Sequence, residues 1–86
     1  MFILNSARHE KKSRKLSGKV HVFPCMLFRT EENAYDMMES QIDSLLKTFR
    51  KMKITAHISK PEPGIVYVES DTDITTYRIT EDDPED

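Results

Sequence analysis

Apolar side chains recur three or four residues apart through the middle of the chain, which predicts an amphipathic helix. The positions on this stripe are Tyr35, Met38, Ile42, Leu45, Phe49 and Met52. Thr30 stands before the stripe as an N-cap residue, and Glu31 and Glu32 place negative charge in the first turn, where the helix dipole favours it. We therefore predict one helix of about five turns that lays an apolar face on a second layer.

Four other segments have the β-branched, aromatic or alternating composition of strands. They are VHVFPCMLF at 20–28, ITAHIS at 54–59, IVYVE at 65–69 and ITTYRIT at 74–80. The first is apolar at successive positions, which predicts burial on both faces, while Pro24 within it indicates an edge position or a bulge. The segments KPEPG at 60–64 and SDTD at 70–73 are rich in turn residues and predict the connections between the last three strands.

The order strand, helix, strand, strand, strand (β-α-β-β-β) predicts an α+β fold. We expect a two-layer sandwich in which the single amphipathic helix packs on a four-stranded, mostly antiparallel sheet. Residues 1–4, MFIL, add a short extra N-terminal strand or a loose apolar end. The predicted organisation is a basic arm at 1–18 that is flexible or looped, a single α+β domain at 19–80 and an acidic tail at 81–86.

The cysteine count and the length of the apolar runs bear on the compartment. Cys25 is the only cysteine in 86 residues, so no intramolecular disulfide can form, and a reducing compartment is expected. No apolar run approaches the roughly 20 residues of a membrane-spanning helix, so no membrane partner is predicted. We expect a cytoplasmic protein.

The net charge of −2 conceals a strong asymmetry along the chain. Residues 1–19 carry six basic side chains and one acid, residues 20–68 carry six of each sign, and residues 69–86 carry eight acids and one base. Because opposite charges concentrate toward the two ends, the distribution favours charged macromolecules as partners.

Residues with catalytic or metal-binding chemistry are few, and their spacing matches no site motif. Zinc accepts the ligand types of His21, Cys25 and His57, but no paired CxxC or HxxxH spacing accompanies them. A cysteine in an apolar run is typically a small core residue, and two glycines are too few for a phosphate-binding loop. We therefore predict no enzyme activity, no metal and no cofactor.

The acidic residues toward the C-terminus carry the leading functional hypothesis. Those that flank the last predicted hairpin turn or follow the last strand are Glu69, Asp71, Asp73, Glu81, Asp82 and Asp83. Carboxylates along one edge of a sheet can dock on a basic surface of another protein, including one that handles nucleic acid. The sequence thus predicts a small regulatory or inhibitory module with a protein partner, a type found among viral and phage proteins.

The basic arm supports an alternative, the direct binding of DNA or RNA. Its cations can follow a phosphate backbone, and two tyrosines on neighbouring strands can stack on bases. These residues are Arg8, Lys11, Lys12, Arg14, Lys15, Lys19, Tyr67 and Tyr77. Against this alternative, a charge run is typically a solvated terminus, and the acidic end of the chain repels nucleic acid. The alternative also allows a homodimer joined through the sheet or the helix. A third hypothesis pairs the arm with the acidic tail, within one chain or between two copies, which favours dimers.

Overall fold

The computed structural model describes residues 1–11 and 20–81, which fold as one helix against one sheet. The elements are β1 Phe2–Glu10, β2 Val20–Val22, β3 Met26–Phe28, α1 Glu31–Lys51, β4 His57–Glu62, β5 Ile65–Glu69 and β6 Asp73–Glu81. The α+β class, with one helix on a mostly antiparallel sheet, is confirmed. Within the described ranges the sheet has six strands rather than the four predicted.

The strands are ordered β2-β1-β6-β5-β4, and β3 pairs with β1 as β2 does. Every pairing is antiparallel. The β1–β6 ladder is the longest and runs from Phe2 opposite Glu81 to Glu10 opposite Asp73. We call the end of this ladder at Glu10 and Asp73 the hairpin end, and the end at Phe2 and Glu81 the tail end.

The N-terminal strand is longer than its sequence pattern indicates. Residues 2–10, predicted as part of a flexible or looped arm, form a nine-residue strand between β6 and the outer strands β2 and β3. Its partner β6 lies near the other end of the chain, and a local pattern does not reveal a ladder partner that distant. Residues 12–18 of the predicted arm lie outside the described residues.

The predicted strand at 20–28 forms an outer edge of the sheet. Its side chains are mostly exposed (Leu27 is 61% exposed), so the expectation of burial on both faces is wrong. The edge position indicated by Pro24 is confirmed, because β2 and β3 form the outer edge of the sheet beside β1 and the strand is interrupted at Pro24 between them. Just before the interruption, the Phe23 N–H donates a hydrogen bond to Ser6 O at 3.0 Å.

Helix α1 begins and ends close to where the sequence predicts. The Thr30 hydroxyl accepts a hydrogen bond from the Asn33 N–H at 3.2 Å, which caps the N-terminus. After the C-terminus Lys53 has a positive φ of 59°, and the Ile54 N–H donates back to Phe49 O at 2.8 Å. This is a Schellman motif, in which glycine usually occupies the position of Lys53.

The core lies between α1 and one face of the sheet. Its buried members are Leu4, Met38, Ile42, Phe49, Val66, Val68 and Tyr77. Strand side chains alternate between the two faces, so the residues between these strand positions point away from the helix. One helix therefore covers one face of the sheet, and the other face is uncovered within the described residues.

The β4–β5 hairpin is displaced from its predicted place. β4 covers 57–62 instead of 54–59, and the connection to β5 contracts to Pro63 and Gly64. Gly64 has a φ of 87°, a conformation that glycine adopts without strain. A Cβ on Gly64 would lie 3.2 Å from the Tyr35 hydroxyl oxygen, so the helix packs directly over this turn.

Candidate functional site

The sheet face opposite α1 is the candidate functional site, and we call it the open face. Strand alternation and register assign its side chains. Its apolar members are Ile3, Ala7, Val20, Val22, Leu27, Ile65, Tyr67 and Ile74. Three of them are largely exposed: Val20 by 52%, Val22 by 76% and Leu27 by 61%. Exposed apolar groups gathered on one face present hydrophobic area that a partner can cover.

Charged side chains occupy few positions on the open face. Arg78 lies near its middle, Glu69 lies at the hairpin end, where it binds Lys11, and Glu62 lies opposite Ile65 on the β4 edge. Arg78 forms no ion pair with a carboxylate of residues 1–11 or 20–81. A charge-poor, aromatic and aliphatic centre is the composition of the buried core of a protein interface.

Two shallow depressions shape the open face. One, of about 450 Å³, is lined by His9, Tyr67, Ile74 and Thr76 among others. The other, of about 230 Å³, lies toward the β2 edge and is lined in part by Val22. Both open broadly to solvent, so they suit the projecting side chains of a macromolecule better than an enclosed small ligand.

The turn between β5 and β6 is organised by Ser70, a residue that the sequence pattern did not single out. Ser70 is 3% exposed, and its hydroxyl accepts hydrogen bonds from the Thr72 N–H at 3.3 Å and the Asp73 N–H at 3.2 Å. The same hydroxyl donates to Asp73 Oδ1 at 3.1 Å. Asp73 is thus engaged within the turn, whereas Asp71 is exposed. The serine-aspartate spacing typical of turns is the sequence signal that identifies Ser70.

Lys11, the residue that follows β1, binds this turn. Its ammonium donates to the Glu69 carboxylate and to Ser70 O, the latter at 2.9 Å. Its backbone N–H donates to Thr72 O at 2.8 Å. The hydrogen bond from Lys11, and then its positive charge, hold the pKa of Glu69 below its usual value. Lys11, the last described residue of the predicted basic arm, therefore meets the acidic hairpin within one chain.

The predicted acidic residues do not form one continuous edge. Those at the hairpin end are Glu69, Asp71 and Asp73. Glu81 lies at the other end of the nine-residue strand β6, about 27 Å away. Because β6 is the middle strand, these carboxylates lie at the two opposite ends of the sheet and do not lie along one of its edges. Asp82 and Asp83 lie outside the described residues.

The residues predicted to bind nucleic acid divide between the two faces. Arg8 lies on the helix side of β1, with its Nε buried and without a hydrogen-bond partner in the described parts of the chain. Tyr67 and Tyr77 lie on opposite faces, because Tyr67 pairs with Thr76. Tyr77 is 6% exposed beneath α1 and cannot stack on a base, which corrects the prediction; burial raises its pKa. The cations outside the described residues are Lys12, Arg14, Lys15 and Lys19.

The three side chains considered for zinc do not converge. His21 on β2 and His57 on β4 occupy opposite edge strands, about 19 Å apart across the sheet. Cys25 is exposed on the edge that carries His21. Over residues 1–11 and 20–81, no three His, Cys, Asp or Glu side chains are grouped to hold a metal ion.

Comparisons with protein-family models, with curated proteins and with solved structures find no match to this chain. Of the part of the chain that the structure describes, no helix has the length and apolar character needed to cross a bilayer. The open face and the charged residues at its two ends are features of the described chain that bear on function.

Proposed function

We propose that this protein is a non-enzymatic interaction module whose open face binds another protein chain. The observation that carries the proposal is the uncovered face itself, where Val20, Val22 and Leu27 expose apolar area on the same side as Tyr67. Aromatic and aliphatic side chains around a charge-poor centre provide the anchors from which protein interfaces gain most of their affinity.

The two edges of the sheet favour docking on the face over the addition of a strand. The edge at β2 and β3 consists of two three-residue strands interrupted at Pro24. The edge at β4 contains Lys60 and Pro61, and its register to β5 is irregular. Proline, lysine and short strands are features that prevent edge-to-edge pairing. A partner therefore gains more binding free energy from contacts with the side chains of the open face than from hydrogen bonds to the backbone of either edge strand.

The carboxylates at the two ends of the sheet supply a charged rim. Asp71 is exposed at the hairpin end and Glu81 at the tail end, and Asp82 and Asp83 follow Glu81 in the sequence. Peripheral charges guide the approach of a partner and exclude wrong partners more than they add affinity. In this proposal the open face binds the protein partner, as in a regulator or inhibitor, and the acidic residues select it.

Affinity capture with matched variants tests the proposal. The wild type, a Val22→Asp/Leu27→Asp variant and a Met52→Asp control are immobilised and exposed to extract of the source cells. Met52 is 62% exposed, close to the 61% of Leu27, but it lies at the end of α1. We expect proteins retained by the wild type and by the control to be lost from the face variant. Equal retention by all three proteins contradicts the proposal.

Binding of single-stranded nucleic acid to the same face is the second candidate. His9 and Tyr67 line one depression close to Lys11, where the basic stretch of the chain continues. Aromatic side chains next to cationic side chains commonly bind unpaired bases, because the bases stack on the rings and the cations contact the phosphates. Titration of fluorescent single-stranded DNA and RNA at low and moderate salt tests this candidate, with Tyr67→Ala expected to weaken binding and Met52→Ala to leave it unchanged. The candidate is wrong if no binding occurs at low salt or if Tyr67→Ala binds as the wild type does.

A further inference from the structure

We infer that a second site, a groove between α1 and the outer edge of the sheet at β2 and β3, binds a proline-rich segment of a partner protein. We call this site the edge groove. It lies on the helix side of the sheet, so the inference goes beyond the function proposed for the open face. It draws on a buried tyrosine hydroxyl without a partner, an uncharged lining, the length of the groove and the break in the neighbouring strand.

The floor of the edge groove contains the unpartnered hydroxyl. Tyr77 and Ser6 stand opposite each other on β6 and β1 and line the groove, which has a volume of about 590 Å³. Tyr77 is 6% exposed, and its hydroxyl forms no hydrogen bond with a group in residues 1–11 or 20–81. A buried polar group is unfavourable until it is paired, so the groove favours a ligand that brings a hydrogen-bond acceptor.

The lining of the edge groove is uncharged. None of the ten described residues that line it carries a charge, although 33% of the residues in the chain are charged. One wall belongs to α1, where Ser40, Ser44 and Thr48 are spaced about one turn apart and Leu45 packs toward the core. A charged group that enters this groove leaves water without gaining a partner of opposite charge, so the groove favours a neutral ligand.

The opposite wall is an aromatic ring followed by a proline. Phe23, which is 43% exposed, and Pro24 line the groove at the break between β2 and β3. The hydrogen bond from the Phe23 N–H to Ser6 O holds this part of the wall beside the floor. Further along the edge, Gln41 Nε2 donates to Met26 Sδ at 3.4 Å and joins α1 to β3. Aromatic-lined grooves are the sites at which proline-rich segments commonly dock.

A proline-rich segment in the polyproline II conformation meets each of these requirements. Its rings are apolar and uncharged, and its carbonyl groups have no partner within the segment, so one of them can accept a hydrogen bond from the Tyr77 hydroxyl. Because proline fixes φ before binding, the segment loses little conformational entropy in the groove. The wall from Ser40 to Thr48 is about 12 Å long, which about four residues of polyproline II span.

The other ways of filling the groove fit less well. The addition of a strand to the adjacent edge needs a continuous row of backbone groups, but β2 and β3 have three residues each, and Pro24 between them has no N–H. The groove also opens broadly to solvent, as the depressions on the open face do, which suits a segment of a larger chain better than an enclosed small molecule.

Titration of the full chain with peptides, followed by amide NMR, tests the occupant. The probe is a polyproline peptide of about twelve residues with neutral caps, and the control is an alternating Gly-Ser peptide of the same length, which is uncharged and flexible. We expect the polyproline peptide to shift the amide signals of Gln41 and Ser44 and to bind with a dissociation constant of about 0.1–1 mM. We expect the control peptide to bind at least about tenfold more weakly. Absence of polyproline binding at about 5 mM, or equal binding of the two peptides, overturns the inference.

Matched variants locate the bound peptide. Tyr77→Phe removes the hydroxyl and keeps the ring, so we expect polyproline binding to weaken about fivefold. Its control is Tyr35→Phe, because Tyr35 lines a different depression of the structure. Phe23→Ser is expected to weaken binding about tenfold, whereas Leu27→Ser, on the same edge but on the open face, is expected to leave it unchanged. Binding of wild-type strength in either Tyr77→Phe or Phe23→Ser overturns the inference.

A second probe, cyclohexanol, tests a small neutral molecule as the occupant. If cyclohexanol shifts the signals of Gln41 and Ser44 and the polyproline peptide does not, the edge groove binds a small molecule and the inference is overturned.

The Val22→Asp/Leu27→Asp variant separates the edge groove from the open face. We expect this variant to bind the polyproline peptide as the wild type does, although it loses the proteins that the open face retains. Loss of peptide binding in this variant assigns the peptide to the open face and overturns the inference. Failure of the peptide to bind the wild type leaves the outcome of the capture experiment unaffected, so the two proposals fail independently.

Discussion

Lys11 and Glu69, 58 residues apart in the chain, form an ion pair that joins the start of the basic stretch to the acidic hairpin. Each residue belongs to a charged surface that the sequence predicts for an outside partner. Their pairing instead fixes the end of β1 against the turn that precedes β6. Among the surfaces that the described residues leave for a partner are the open face, the exposed Asp71 at the hairpin end and the tail end of the sheet.

Removal of the Lys11 ammonium is expected to raise the pKa of Glu69 toward its usual value of 4.5. Because the pair favours the ionised carboxylate, its contribution to stability is present above pH 4.5 and is lost as the pH falls through the lowered pKa of the folded state. NMR titration of the Glu69 carboxyl carbon in Lys11→Gln measures the change. Lys47→Gln, on the exposed side of α1, is the control. An unchanged Glu69 pKa in Lys11→Gln contradicts the pairing.

Replacement of Lys53 by glycine is expected to stabilise the fold. Lys53 has a φ of 59°, and the left-handed conformation costs a non-glycine residue about 1 kcal/mol or more. Part of this gain is offset by the greater freedom of glycine in the unfolded chain, so we expect a net increase of about 0.5 kcal/mol in the free energy of unfolding. Urea denaturation measures it. Lys51→Gly, at the last residue of α1, is expected to destabilise the fold, and destabilisation by both variants contradicts the account of the helix end.

The Gly64→Ala substitution is expected to destabilise the fold by about 1–2 kcal/mol, because its φ of 87° is unfavourable to an L side chain. A second cause is crowding, since the new Cβ lies 3.2 Å from the Tyr35 hydroxyl oxygen. Thermal unfolding of Gly64→Ala, Tyr35→Phe and the double variant separates the two causes. We expect Tyr35→Phe to recover only the crowding contribution. A Gly64→Ala variant as stable as the wild type shows that the turn does not have this geometry.

Alkaline pH is expected to weaken the fold through Tyr77. Burial raises the pKa of this phenol above its usual value of 10.0, because the charged phenolate is poorly solvated beneath α1. The stability due to the neutral phenol is therefore present below pH 10.0 and is lost as the pH rises toward the raised value. Absorbance titration of the wild type against Tyr77→Phe isolates the ionisation. A midpoint at or below 10.0 contradicts the burial of Tyr77.

Local signals in the sequence predict the features that are themselves local. The cap at Thr30, the apolar stripe of α1 as far as Phe49 and the edge proline Pro24 depend on neighbouring residues, and the structure agrees with each. Met52, the last position of the predicted stripe, lies beyond the helix and is 62% exposed, so its predicted place on the buried face is wrong. The positive φ at Gly64 also follows from its residue type. The turn around Gly64 is shorter than predicted because β4 extends through Pro61 by pairing with β5, a contact that residue type alone does not specify.

Features that depend on distant pairing were not predictable from these signals. The insertion of β1 beside β6 makes β6 the middle strand, and the acidic residues therefore lie at two ends of the sheet instead of along one edge. The exposure of Val22 has the same kind of cause. An apolar strand pattern shows that a residue suits a covered face, but the number of covering layers is a property of the whole fold, and α1 covers only one face.

Methyl NMR tests the central claim, that the open face is the binding surface, most directly. Spectra of protein labelled at isoleucine, leucine and valine methyl groups are recorded at increasing concentrations of the chain itself. They are also recorded before and after the addition of any captured partner. The account predicts that shifts concentrate at Val22, Leu27 and Ile74 and spare the buried methyl groups of Ile42. Shifts that leave Val22 and Leu27 unchanged and fall on the outer surface of α1 would contradict it.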